Sequence, residues 1–459
     1  MGKAQMKRNE ITEGIIWKQL LLFFFPIAIG TIVQQLYSVA DTMIVGRFIG
    51  TKALASVGGS AAVVTNMIIY FFTGLATGAG VIVAQFYGAK DNKNLHKSVH
   101  TAYAFSIILG IVLAIIGWIL TPWILKAMDT SPEIIKDSII YMRIIFVGMV
   151  ATMIYNMGSA IMRAAGDSKR PLYYLIVCSV LNIVLDLIFI IVFKMGVAGA
   201  AIATITAQAF SDVLVSYSLM HAYDEVKLNL KEIWIDTKIL ISELRVGLPG
   251  GLQYCFSGLT NIVLQTAING FGTETTAAWA TFNKLDVIFW TILGAFGSSV
   301  TTFVGQNYGA KKYDRMWKSV RVCMGLALVI CGIAQFCLYA FCEPMYRIFT
   351  SDPNVIELGV HFMRFLVPIY ILFVFHEIPV GALRGMGFAT MPTAFTLMGT
   401  VFLKIPWIIF VVPRYHSMET IMISYPLSWM FAMVLTIFYY FKKKKLIMMN
   451  AEKKTASLL

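Results

Sequence analysis

The sequence predicts an all-α polytopic membrane protein of twelve transmembrane helices, arranged as two pseudo-symmetric six-helix bundles. Three observations carry that expectation. The 459 residues are 58% hydrophobic and only 13% charged, with a mean hydropathy of +0.75, whereas a soluble domain is typically about 25% charged. Apolar runs of about 20 residues, the length that crosses a bilayer, follow one another along the whole chain. A phrase at 83–90 returns at 304–311. The alternating ten-residue segments of a membrane barrel are absent.

In order, the first half has runs at 18–44, 56–86, 98–121, 137–160, 172–193 and 197–220. The second half has them at 246–269, 277–305, 320–342, 360–382, 393–413 and 419–441. The loops are short except 221–245, which is polar and amphipathic and reads as a linker lying on the membrane surface. The chain thus divides into an N-lobe (1–220), a cytoplasmic linker (221–245), a C-lobe (246–441) and a basic tail (442–459). The opening "MGKAQMKRNE" is polar, and the run after it is too long for a signal h-region, so no cleavable signal is expected.

Most of the 37 Lys and Arg residues fall on one side of this plan. They include Lys3, Lys7 and Arg8, then Lys90, Lys93 and Lys97, then Arg163, Lys169 and Arg170, then Lys311, Lys312 and Arg315, and finally Lys442 to Lys445. Cytoplasmic loops collect such residues, which places both termini in the cytoplasm. The same bias accounts for the net charge of +13 without nucleic acid as a partner. The six cysteines form no CxxC pair and read as packing residues.

The repeat extends well beyond one phrase. "VAQFYGAK" at 83–90 matches "VGQNYGAK" at 304–311, an offset of 221. At the same offset, "RAAGDSKRP" at 163–171 meets "RGMGFATMP" at 384–392, and Met142-Arg143 meets Met363-Arg364. With six spans in each half, the two repeats share one membrane orientation and are related by an axis along the membrane normal. Duplicated bundles of this kind are a transporter architecture.

Charges at membrane depth are costly and functional by default. Asp41 is the only ionisable charge between Lys18 and Arg47, and Asp186 the only one between Arg170 and Lys194. Spacings of three, four and seven put Gln34, Tyr37 and Asp41 on one helix face, and Ser179, Asn182 and Asp186 on another. At a rise of ~1.5 Å per residue, Asp41 lies roughly 9 Å from the outer end of its span and Asp186 roughly 12 Å. Thr204 lies roughly 10 Å into the next span. Asp41, Asn182, Asp186 and Thr204 can therefore share one layer. Two carboxylates, an amide and a hydroxyl form an all-oxygen set that suits Na⁺ or a shared proton. The second half has no acid at the equivalent positions, so the ionisable site belongs to one half.

Other polar groups at depth are less specific. Lys284 and Asp286 point to different faces of span eight, Glu377 sits beside His376 in span ten, and Lys404 is in span eleven. Each either lines a cavity or pairs structurally. Pro26 lies one third of the way into span one and marks a kink or bending point. No phosphate loop, nucleophile elbow or HExxH motif occurs, and the six scattered histidines suggest no metal-ligand spacing. An enzyme is not indicated.

At this point a family resemblance becomes visible. "PIAIGTIVQQLYSVADTMIVGRFIG", "VAQFYGAKD", "RAAGDSKRP", "LNIVLDLIFI" and "GVAGAAIATITAQ" resemble the multidrug and toxic compound extrusion (MATE) transporters over residues 15–440, most closely the DinF-like branch. The resemblance implies a V-shaped pair of lobes in a bacterial-type inner membrane, acting as a monomer on small organic molecules, often cationic. It implies alternating-access antiport against H⁺ or Na⁺ with no further cofactor. The coupling site would be Asp41, Asn182, Asp186 and Thr204, which would also be the residues to hold Na⁺. Gln34, Tyr37, Ser179 and Glu377 are candidates for the substrate cavity, with Pro26 as hinge. A second branch, the NorM type, carries an acid in span seven eight residues after a proline, where this chain has Ser257. A lipid-linked saccharide flippase of related fold is the alternative reading.

Overall fold

The computed structural model describes residues 10–456. Lys3, Lys7, Arg8 and the extreme end of the basic tail lie outside the described residues. Among those described there is no strand, and twelve long helical segments follow one another. They are α1 Ile16–Phe48, α2 Thr51–Ala89, α3 Asn92–Ala127, α4 Ile135–Ala164, α5 Lys169–Val192 and α6 Gly196–His221. The second half has α7 Thr237–Asn269, α8 Thr273–Gly309 and α9 Tyr313–Ala340. It continues with α10, built of Pro353–Ile369 and Ile371–Gly385, then α11 Thr390–Val411 and α12 Met418–Ala456.

Ten of these are long and apolar enough to cross a membrane, and the two pieces of α10 reach that mark together. The exception is α7. Its sequence is diluted by Gly247, Gly250, Gly251 and Gly258, and by Gln253, Asn261 and Gln265.

The helices start and stop where local chemistry dictates. Asp91 caps α3 by accepting from the Asn94 N–H at 3.2 Å. Asp352 caps α10 by accepting from the Asn354 N–H at 3.0 Å, with Pro353 in the first turn, where no N–H is needed. The repeat is also written into the backbone. Lys90 (φ 56°) and Lys311 (φ 58°) take the left-handed conformation at the same place in each half. Gly166 (φ 95°) and Gly387 (φ 89°) do so after α4 and α10. Positive φ suits glycine because it lacks the Cβ that would clash.

Three backbone features interrupt the long helices. α10 bends by 48° at a turn containing Pro368, which cannot donate to the helix ladder. α5 widens into a π-helix over Leu187–Val192. In the second half, α11 has π segments at Met398–Leu403 and Trp407–Val411.

The chain forms two compact units, Phe23–Gly251 and, separately, Leu252–Leu459 together with Met1–Leu22. In the first, α4 packs against α2, α3 and α6. Its buried face is unusually rich in methionine, with Met142, Met149, Met153, Met157 and Met162 all in the core. The linker docks on α3 within this unit. Lys97 pairs with Asp236 at 2.9 Å, and the Asp236 N–H donates to the Thr101 hydroxyl at 3.0 Å. In the second unit, α8 supplies a row of buried rings that includes Phe282, Phe289, Phe296 and Phe303. There α12 runs unbroken through the four lysines. Lys443 stands over the Phe388 ring at 4.2 Å and Lys444 over Trp317 at 5.6 Å.

Candidate functional site: a carboxylate pair inside the first unit

Three helices carry the polar layer anticipated from spacing. α1 presents Tyr37 and Asp41 one turn apart, α5 presents Asn182 and Asp186, and α6 presents Thr204. Asp186 has no exposed surface and Asn182 is 1% exposed. The Asp41 and Asp186 carboxyls lie within hydrogen-bonding reach of each other. The Asn182 amide is best satisfied with its nitrogen donating to Asp186 Oδ2 at 2.9 Å and its oxygen accepting from the Thr204 N–H at 3.2 Å. Tyr37 hydrogen-bonds to the Thr204 side chain, and the Thr204 hydroxyl donates to the Ala200 carbonyl at 3.0 Å.

Two oxygens in this layer remain unused. Asp41 Oδ1 and Asp186 Oδ1 are buried and have no hydrogen-bond partner. A buried polar atom without a partner costs about 1–3 kcal/mol, more when charged. Two adjacent carboxylates also cannot both stay ionised without a counter-charge. The arrangement has the chemistry to hold a shared proton or an oxygen-seeking cation.

An apolar plug adjoins the layer on one side. Val45, Ile190 and Ala200 lie one turn from Asp41, Asp186 and Thr204 respectively, and all three belong to one buried cluster with Ala53, Val57 and Val197. The π-helix of α5 begins directly after Asp186. Such wide turns recur at functional sites because they change the register in which side chains are presented.

Spacing alone missed one member. Tyr141 of α4 packs against the apolar plug and interacts electrostatically with both Asp41 and Asp186. It sits in an ordinary-looking run, "SIIYMRIIF", and only the packing of α4 between its neighbours shows what it faces.

The remaining candidates are dispersed. Ser179 is buried, but its hydroxyl donates to its own helix at the Leu175 carbonyl, 2.8 Å away. Gln34 is exposed. Pro26 is buried within α1, which continues helically through it. Glu377 lies in the other unit, half-buried against Gly297, where an added Cβ would come 2.6 Å from its Oε1. Lys284 is exposed and stands over Phe349 at 5.6 Å.

The expectation about histidines needs correcting. His96, His100 and Glu232 bring ligand-type atoms within 4.8 Å of one another. A separation of four puts the two histidines on one face of α3, and linker docking adds the acid. Their atoms are already engaged, however. His100 Nδ1 is 2.7 Å from the His96 carbonyl, its Nε2 accepts from the Asn229 N–H at 3.0 Å, and His96 pairs with Glu232 at 3.0 Å. The group is part of the linker clasp.

Comparison with known proteins agrees with this architecture. The MatE family matches residues 26–188 and 249–409, covering both repeats. "Probable multidrug resistance protein YoeA" of Bacillus subtilis is 28% identical over 433 residues, which is 92% of this chain and 93% of that protein. "Probable multidrug resistance protein NorM" of Thermotoga maritima is 26% identical, over 91% of this chain and 89% of that protein. Among solved structures, MATE in its bent conformation superposes with a TM-score of 0.90 at 23% identity, covering 99% of this chain and 100% of the other. With both repeats matched and the fold shared, the chain belongs to the MatE family and is a polytopic membrane transporter rather than an enzyme.

Proposed function

We propose that this transporter is a secondary active multidrug antiporter. It exports amphipathic, often cationic organic compounds in exchange for H⁺ or Na⁺ bound at Asp41, Asn182, Asp186 and Thr204. The observation that carries the reading is the pair of unpartnered buried oxygens, Asp41 Oδ1 and Asp186 Oδ1. The names of the Bacillus and Thermotoga relatives support the substrate class.

In this cycle a proton or Na⁺ neutralises the carboxylate pair. Neutralisation relieves the repulsion between the Asp41 and Asp186 carboxylates, and α1 repacks against α5 by bending near Pro26. Structures of a MATE protein in straight and bent conformations support two states of this kind. The substrate is released outward, the coupling cation leaves inward, and a new substrate is taken up. Each ligand acts only through its different affinity for the two states. On this reading both termini are cytoplasmic and the working unit is a monomer.

The test is ethidium efflux from proteoliposomes under separately imposed pH and Na⁺ gradients. Substrate movement driven by one of the gradients, and absent in Asp41→Asn, is the expected result. Movement that ignores both gradients overturns the antiport reading.

A further inference from the structure

The second repeat has no acid where Asp41 and Asp186 stand, yet its interior holds a buried charge of the opposite sign. Lys404 is 5% exposed and occupies a single α-helical turn, Lys404–Pro406, between the two π segments of α11. In the repeat, α11 corresponds to α5, and Lys404 falls 221 residues after Ile183, the neighbour of Asn182. The helix that carries the acid in one half thus carries a cation in the other.

That ammonium lies against one end of an aromatic network. Lys404 Nζ stands 3.0 Å above the centre of the Tyr425 ring. Tyr425 packs edge-on to Trp429 with centroids 5.4 Å apart, Trp429 meets Trp290 at 5.6 Å, and Trp290 meets Tyr370 at 5.5 Å. Aromatic faces attract ammonium groups, and more strongly where water is excluded. Asp286 closes the box from α8. It accepts from Trp290 Nε1 at 2.7 Å and hydrogen-bonds to Tyr370. It interacts electrostatically with Lys404, while its Oδ1 has no partner and is shielded from solvent.

We propose that Lys404 is a tethered cation. Its ammonium occupies the box formed by the Tyr425 ring face and the Asp286 carboxylate in the second repeat, which would otherwise accept an alkylammonium ligand. This makes Lys404 a specificity-determining residue, and the proposal is read out by binding, so it stands or falls separately from the antiport reading.

Truncating Lys404 to alanine removes the equivalent of a propylammonium ion, so that ion is the probe. Full-length Lys404→Ala in detergent is expected to unfold at a lower temperature than the parent. n-Propylammonium should raise its midpoint saturably, at least about tenfold more effectively than in the parent protein at matched ionic strength. The response should vanish in the double variant with Asp286→Asn. A folded Lys404→Ala protein that responds no better than the parent, or equally to 1-propanol, overturns the proposal. If that variant cannot be isolated, Lys404→Met keeps the length and removes the charge. Its loss of thermal stability should then be regained by adding Asp286→Asn. Independent, additive effects of the two substitutions would refute the tethered-cation role.

Discussion

Asp186 has no exposed surface, lies against a second carboxyl, and keeps one oxygen without a partner. For Asp41→Asn and Asp186→Asn, the expected outcome is a protein made at normal levels with efflux reduced at least about tenfold, which corresponds to about 1.4 kcal/mol of lost coupling. Efflux in cells normalised to membrane protein content checks it. Tyr141→Phe removes a hydroxyl that interacts electrostatically with both acids. It should weaken the apparent affinity for the coupling ion several-fold, while maximal efflux is retained. A titration of transport against H⁺ and Na⁺ separates the two effects. At this scale the acids were legible because a lone charge in an apolar run is conspicuous. Tyr141 was not, because a tyrosine in such a run looks the same whether it faces lipid, core or carboxylate. The box around Lys404 was illegible for a related reason: its rings come from α8, α10 and α12, and no local pattern joins them.

Between elements, α2 and the start of α7 meet backbone to backbone in the first unit. A Cβ on Gly78 would stand 2.2 Å from the Gly247 nitrogen and 2.6 Å from the Glu243 carbonyl oxygen, and one on Gly74 would stand 2.3 Å from the Gly251 nitrogen. Gly74 and Gly78 are four apart, the small-residue spacing that lets membrane helices touch backbone to backbone. The obstructing atoms are main chain and cannot rotate away. Gly78→Ala should therefore cost about 1–3 kcal/mol, the range for overpacking, and lower the thermal midpoint of the purified protein. Gly258→Ala, at a position with nothing within 4 Å, should not. The existence and order of the helices could be read from hydropathy. The π segments of α5 and α11 could not, because they depend on which carbonyl each N–H selects, and a run such as "LIFIIV" fits either ladder.

Across the whole molecule, each repeat's lead-in segment docks on the third helix of the other repeat. Linker residues before α7 are held by Lys97 and Thr101 of α3. Residues before α1 are held by Arg315 of α9, whose guanidinium donates to the Ile11 carbonyl at 2.9 Å and to that of Gly14 at 2.5 Å. Arg315→Ala should destabilise by about 1–3 kcal/mol, the cost of leaving such carbonyls unsatisfied, seen as faster proteolysis near residue 14. The Asp236 carboxyl is held below its ordinary range by its bond to Lys97 and by backbone N–H donors. Its contribution is thus complete above the ordinary carboxylate range and is lost only as pH falls below it. Hydrogen exchange at 229–239 should stay slow at pH 6 and rise only in stronger acid. The duplication itself was legible as an offset of 221, but the exchange of lead-ins was not, since it depends on contacts between residues far apart in the chain. At 1.5 Å per residue the 39-residue α12 is a rod about 58 Å long, nearly twice the hydrocarbon thickness of a bilayer. A dye placed at exposed Glu452 would ride at the end of that rod, so a tilt of only ten degrees would sweep it through roughly 10 Å. The final helix is thus a built-in pointer from which energy transfer could read the transport cycle.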